Sequence, residues 1–223
     1  MYRNSLLLLL SLIFLGINLN LKSDEIYSNF IQIYGEGPLG QHIIGFNPVY
    51  YSKEESVKIA KKEIFEFLSG MIYGYNFFYE VENNALGKKG YFETTPRATL
   101  NEKDRNLSVS QYEESGISMR IQATYRLNED QRNFITGYQT VAAQLSSGSS
   151  TYSFDSESWE NRFKVYKNAV QNAVLNGARK DIKSRPTSIR GKLLLAESPK
   201  FSIVSGEWRA KVKIHLIIDE VEY

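Results

Sequence analysis

"SWENRFKVYKNAVQNAVLNGARKDIKSRP", residues 158–186, predicts a long helix with a forced stop. The helix is expected from about Glu157 to Lys183. Glu157 and Glu160 stand in its first turn and Arg179, Lys180 and Lys183 in its last, the order of charge that suits the helix dipole. Ala169, Ala173 and Gly177 form a ridge of small residues beside Tyr166, Val170 and Val174, so this face can sit close against a sheet. Pro186 forbids continuation.

Strands are expected next at 188–197, 200–204 and 207–221, with Ser205-Gly206 as a turn. In the last of them Trp208, Ala210, Val212, Ile214, Leu216 and Ile218 share one face. Arg209, Lys211, Lys213 and His215 share the other, the period of a half-buried strand.

Working back toward the N-terminus, residues 106–113 and 116–127 predict a hairpin turning near Glu114–Gly116. Ile117, Met119, Ile121, Ala123, Tyr125 and Leu127 point to one side of it. A further strand is expected at 133–145, and "SSGSSTYSFDS" (146–156) has the composition of a flexible loop. In the first third, 28–35 alternates as a strand and the Gly/Pro-bearing 35–50 predicts a loop. Ser52 and Glu55 form a capping box for a helix whose Val57, Ala60, Ile64, Phe67 and Leu68 recur at helical spacing. Ser69 and Gly70 are expected to end it, and "MIYGYNFFYEVEN" (71–83) has the aromatic content of a strand. Its aromatic residues could meet a glycan or another protein, but alternating strand sides favour a core-plus-surface mixture.

The fold class expected is α+β, two helices packed on one face of largely antiparallel sheet. The order strand, helix, strands recurs in the two halves, which is compatible with two related units, 24–100 and 116–223.

Arg3 precedes an apolar run from Leu6 to Ile17, followed by a polar exit at Asn18, Asn20, Lys22 and Ser23. A run of about 12 apolar residues behind a positive head is a secretory signal peptide, expected over 1–23, with the exported domain at 24–223. A span would need about 20. The chain has no cysteine, which removes disulfides, thiolate metal sites and lipid attachment through a cysteine. Of 27 basic residues, Arg3 and Lys22 belong to the leader, and the remainder balance 25 acidic ones. A neutral mature chain has no general attraction to nucleic acid.

Gly35, Gly37 and Gly40 have the G-x-G-x-x-G spacing of a dinucleotide turn, but Pro38 lies inside it and no helix begins before Ser52. Without a helix N-terminus at the third glycine there is no anion site, so no nucleotide and no other cofactor is expected. His42 falls in the expected loop and His215 on the polar face of the last strand, neither with metal-ligand or acid–base spacing. No catalytic residue is assigned. Arg179, Lys180, Lys183, Arg185, Arg190 and Lys192 are the candidate patch for an anionic partner, weighed against a solvated helix end.

"IQIYGEG" (31–37), "SVKIAKKEIFEFLSGM" (56–71), "NAVQNAVLNGARKDI" (168–182) and "GEWRAKVKIHLIIDEV" (206–221) carry a resemblance. These segments resemble the group containing Lpp-twenty-type outer-membrane lipoproteins and the N-terminal domain of flagellar assembly protein T. That group has an early strand with a glycine-bearing x-G-x-G bend, an Ala-rich helix and following strands. The chain departs from the lipoprotein branch in lacking cysteine. The resemblance implies a non-enzymatic, exported accessory or binding protein of the envelope. Its expected location is the periplasm, with the outer-membrane periphery or secretion as alternatives, and its partner an envelope protein or polymer, with the flagellum one setting. The alternative is an envelope hydrolase or glycan-binding enzyme whose site is assembled from dispersed carboxylates.

Overall fold

The computed structural model describes residues 29–44, 47–82, 87, 89–140, 143–153, 159–182, 184 and 186–223. The expected leader and its cleavage site lie outside the described residues. In chain order the elements are β1 (Phe30–Pro38), β2 (Gly40–Ile44), β3 (Asn47–Tyr51), α1 (Lys53–Ile72), β4 (Tyr75–Glu80) and β5 (Tyr91–Pro96). There follow β6 (Leu107–Ser115), β7 (Ser118–Arg126), α2 (Glu129–Thr140), β8 (Gln144–Ser153), α3 (Glu160–Asp181), β9 (Ser188–Leu195), β10 (Lys200–Val204) and β11 (Glu207–Glu222). Every strand pair among them is antiparallel. The class is α+β, with three helices among the described residues.

β1, β7 and β6 form a three-stranded sheet in that order. The six-stranded sheet is organised around β11, which pairs with β8 along one side. Along its other side it pairs with β10 near its start and β9 further on, and β9 continues the sheet to β4 and β5. β2 and β3 make a separate hairpin. α1 lies between the two sheets, touching β1 and β7 on one side and β9 on the other, while α3 covers β8 and β11. The alternation expected for β11 holds. Trp208, Ala210, Val212, Ile214 and Leu216 are buried beneath α3 with Ala169, Val170, Ala173 and Val174. Met119, Ile121, Ala123 and Tyr125 of β7 are buried in the same core.

Five local expectations are corrected. Residues 35–50 are not a loop: β1 runs through Gly35 and Gly37 to Pro38, and a hairpin follows. The glycines serve the helix above the strand. A Cβ on Gly35 would stand 2.1 Å from the Ala60 carbonyl oxygen, and one on Gly37 2.1 Å from that of Ser56. Residues 144–153 are likewise strand, because Ser146 and Gly148 face α3 at contact distance; a Cβ on Gly148 would meet Ala169 O and Ala173 N at 2.3 Å. Both stretches are poor in side chain because two backbones need the space. The rest of the expected loop, 154–156, lies outside the described residues.

Residues 133–140 are helix, not strand. Asn128 and Gln131 cap α2 reciprocally, each side chain accepting from the other's backbone N–H. The Gln131 amide also donates to the Tyr73 and Tyr125 hydroxyls, both at 3.0 Å, and Arg97 lies over the Phe134 ring while reaching the Tyr138 hydroxyl. The 71–83 strand starts later, at Tyr75. α1 carries on to Ile72, and Gly74 at φ +72° accepts the left-handed exit, its N–H bonding Ser69 O. Ile117 is exposed in the β6–β7 turn instead of joining the buried face.

Candidate functional site

The segment Gly35-Glu36-Gly37 enters an ionic cluster that no local sequence pattern announces. Glu63 lies on the inward face of α1 between Ala60, Ile64 and Phe67, and is fully buried. Arg162, in the first turn of α3, is buried as well. Its Nε donates to Glu63 at 2.5 Å, and its Nη1 stands 3.3 Å from a Glu36 carboxylate oxygen. Glu36 N–H donates to Glu63 at 3.0 Å, Ser118 Oγ donates to the Glu36 carboxylate at 2.7 Å, and Trp159 Nε1 donates to Glu36 O at 3.1 Å. The guanidinium lies 3.9 Å from the centroid of Phe201 and 5.1 Å from that of Trp208. Burial pushes the Glu63 carboxyl above the usual carboxylate range, against the opposing pull of Arg162 and the Glu36 N–H. Two carboxylates therefore converge, but on a cation that occupies them inside the core. Chemically the arrangement is a clamp joining β1, α1 and the start of α3.

The outward face of the six-stranded sheet is built differently. Because strand side chains alternate, covering one face of β8 and β11 with α3 leaves the other to solvent. From β11 this face carries Arg209, Lys211 and Lys213. β8 places Thr151, Ser149 and Ser147 directly beside them, and β10 adds Lys200 opposite Lys211 and Ser202 opposite Arg209. All are exposed except Arg209, which is half-buried. Lys200 has Glu197 at 3.1 Å; Arg209, Lys211 and Lys213 have no ion-pair partner among the described residues. Two hollows of about 430 and 400 Å³ lie along this row, sharing Ser149 and Lys211. At the edge of β8, Asn172 and Asn176 of α3 donate to Ser149 O and Ser147 O at 2.9 and 3.0 Å.

Residues 44–223 match the model of one family, whose members are uncharacterised. The chain belongs to that family. No curated protein and no solved structure matches it. The matched span takes in α1, α3 and the whole six-stranded sheet, so both the row of cations and the hollows beside it fall within the family's own region.

A cleft of about 590 Å³ opens between the start of β1, α2 and the β9–β10 connection, lined among others by Ile31, Arg132, Ile135, Leu194, Glu197 and His215. His215 is half-buried there, and burial together with Lys213 holds its imidazole below the ordinary range. It is thus less solvated than the strand pattern implied. His42 is in β2, not a loop. It is buried, with Nε2 3.0 Å from Ile117 O and 3.2 Å from Leu39 O, and edge-on to Tyr51 and Trp159. Two carbonyl acceptors fix the proton on Nε2, and the ring pins the β2–β3 hairpin to the β6–β7 turn.

The residues of the candidate patch are divided by the fold. Arg179 and Lys180 are exposed in the last turn of α3. Arg190 and Lys192 stand on the opposite face of the sheet, Arg190 3.8 Å from Glu220 and Lys192 3.0 Å from Asp219. Lys183 and Arg185 lie outside the described residues. Arg209, Lys211 and Lys213 of β11 form a separate row without ion-pair partners among the described residues; its alternation was legible but its strand neighbours were not. Among the described residues no group of three His, Asp or Glu is placed to hold a metal ion, and no helix is long and apolar enough to cross a membrane.

Proposed function

We propose that the protein is a non-enzymatic accessory protein of the cell envelope, exported behind a cleaved leader and acting by binding. The observation that carries this reading is the outward face of β8, β11 and β10, an open surface of cations and hydroxyls. The buried ionic groups are used within the core, whereas this face gathers three cations without ion-pair partners among the described residues into one row.

We further propose that the chain is built of two related units. One is β1, α1, β4 and the β6–β7 hairpin, which moves the boundary from the expected 100–116 to after β7; the other is β8, α3, β9 and the β10–β11 hairpin. In each, the first strand pairs with the last strand of the hairpin, giving the orders β1-β7-β6 and β8-β11-β10. In each, glycine sits where the helix crosses the first strand. β4 and β9, the strands that follow the two helices, pair with one another. These parallels support the resemblance to the Lpp-twenty-type and flagellar assembly protein T group, and with it a place beside an envelope assembly such as the flagellar base.

Crosslinking in intact cells, with fractionation and mass spectrometry, tests the reading. The protein is expected in the periplasmic or outer-membrane fraction, with crosslinks from Lys200, Lys211 or Lys213 to an envelope component. Recovery in the cytoplasm, or no crosslink from those lysines, overturns it. The second reading, a hydrolase with dispersed carboxylates, draws on the cleft where Glu129, Glu197 and His215 line one space. Glycan turnover abolished by Glu197→Gln and His215→Gln would carry that reading over the first.

A further inference from the structure

We propose that the outward face of β8, β11 and β10 binds a linear anionic polysaccharide, laid along β11 with its acidic groups on Arg209, Lys211 and Lys213. The inference rests on the binding reading above and names its ligand. Three features of the face carry it. The cations repeat at every second residue of one strand, which spaces them by roughly 7 Å in a row. That geometry suits a charge recurring along a polymer better than a single small anion. Next, Lys200 and Lys211 stand directly opposite each other on neighbouring strands. Like charges in that position destabilise a sheet; Glu197, 3.1 Å from Lys200 and lining the same hollow, offsets this on the Lys200 side, and a bound anion would do so at Lys211. Finally, each β11 cation has a hydroxyl beside it on β8, and two adjoining hollows of about 430 and 400 Å³ share Ser149 and Lys211. Asn172 and Asn176 spend their amide N–H groups on the β8 backbone, which leaves their oxygens as acceptors at the rim of the hollows. Neutral donors and acceptors packed beside every charge match a chain that carries hydroxyl groups between its acidic ones.

The same face argues against single-stranded nucleic acid. Base recognition without sequence preference relies on aromatic stacking platforms. The outward positions from Arg209 to Lys213, with their strand neighbours, carry no aromatic ring. At the other end of the sheet, Arg190 and Lys192 have Glu220 and Asp219 nearby, so the binding row is confined to the β8 side.

The test uses the full mature chain and four probes: polygalacturonate, heparin, long-chain polyphosphate and neutral dextran. Binding to polygalacturonate and heparin is expected, and Lys211→Glu/Lys213→Glu should weaken it at least about tenfold and flatten its salt dependence, because fewer counterions are released. Arg179→Glu/Lys180→Glu makes the same charge change at the exposed end of α3 and should alter affinity less than about twofold, screened as separated surface charges are. Both variants should give single cooperative melts, so that a loss of binding is not a loss of fold. Ser147→Ala/Ser149→Ala should weaken polygalacturonate and leave polyphosphate unchanged. Equal losses in the two charge variants, equal or tighter binding of polyphosphate, or binding of dextran overturns the proposal. A protein crosslinked through Lys211 in cells, with no polysaccharide bound by the purified chain, removes the glycan and leaves the binding reading standing.

Discussion

β1 passes beneath α1 and β8 passes beneath α3, and in both places helix and strand meet backbone to backbone. Gly35 and Gly37 make the first crossing and Gly148 the second. Each strand also has a free edge, whose peptide groups need partners once a helix is laid over them. The two edges are closed with opposite chemistry. At Glu36 the N–H bonds the Glu63 carboxylate and the carbonyl accepts from the Trp159 indole, with Arg162 neutralising the charge. Along β8 the carbonyls of Ser147 and Ser149 accept neutral amides from Asn176 and Asn172, at an exposed rim. A charged closure inside the core depends on every member, whereas an amide closure beside solvent can be replaced by water.

The largest effect should follow from breaking the charged closure. Arg162→Met leaves Glu63 buried without its cation, and a loss of about 3–5 kcal/mol at neutral pH is expected in urea unfolding. Glu63→Gln/Arg162→Met should recover part of that loss, since no buried charge is then left unpaired. A loss no larger than that from the asparagine changes below would show that the cluster is no clamp. The crossings themselves come next. Gly35→Ala and Gly148→Ala each drive a methyl into helix backbone, so a loss near the upper end of the overpacking range, about 3 kcal/mol, is expected for both. Gly177→Ala is the contrast. Its nearest neighbour is the Leu216 methyl at 2.5 Å, a side chain that can turn away, and the loss should be smaller, about 1 kcal/mol. Equal losses at Gly148 and Gly177 would mean that backbone contact is not what these glycines serve.

This difference between crossings also explains what could be seen in the sequence. α1 was legible from its capping box and apolar periodicity, and α3 from its periodicity and terminal charges. β7 and β11 were legible from alternation. The parts of the strands under the helices, 36–38 of β1 and most of β8, were not, because close approach selects glycine and serine and so imitates a linker. α2 carried one local signal, the Asn128–Gln131 capping pair, while the rest of its hold comes from tertiary bonds from Gln131 to Tyr73 and Tyr125. The ionic cluster joins residues 99 apart, Glu63 and Arg162. Its one sequence signal is a carboxylate on the apolar stripe of α1, with Ala60 and Ile64 as neighbours. The cationic row showed as alternation in β11, but its hydroxyl flank on β8 depended on recognising a strand in a serine-rich stretch.

On the amide side, Asn172→Ala and Asn176→Ala each remove one exposed hydrogen bond, and a loss of about 0.5–1 kcal/mol apiece is expected. The more telling readout is association. With both changed, the β8 edge presents bare carbonyls, and light scattering should detect concentration-dependent self-association that the parent lacks. A double variant that stays monomeric with an unchanged melt would make the asparagines incidental to the edge.

The smallest effect is a slope with pH, and it should belong to the charged edge alone. Burial sets the folded-state pKa of Glu63 above its ordinary value of 4.5. Between the unfolded and folded values the native chain holds a proton that the unfolded chain has released. Stability from this group is therefore fully present below about pH 4.5 and declines as pH rises through the folded value. Glu63→Gln should flatten that part of the urea midpoint profile, while Asn172→Ala/Asn176→Ala should shift the profile down without changing its shape. The penalty of Arg162→Met should shrink toward acid pH for the same reason, because protonation then does what the guanidinium did. A penalty independent of pH would move the cost from the buried charge to lost packing against Phe201 and Trp208, and the two crossings would then differ in volume filled instead of charge.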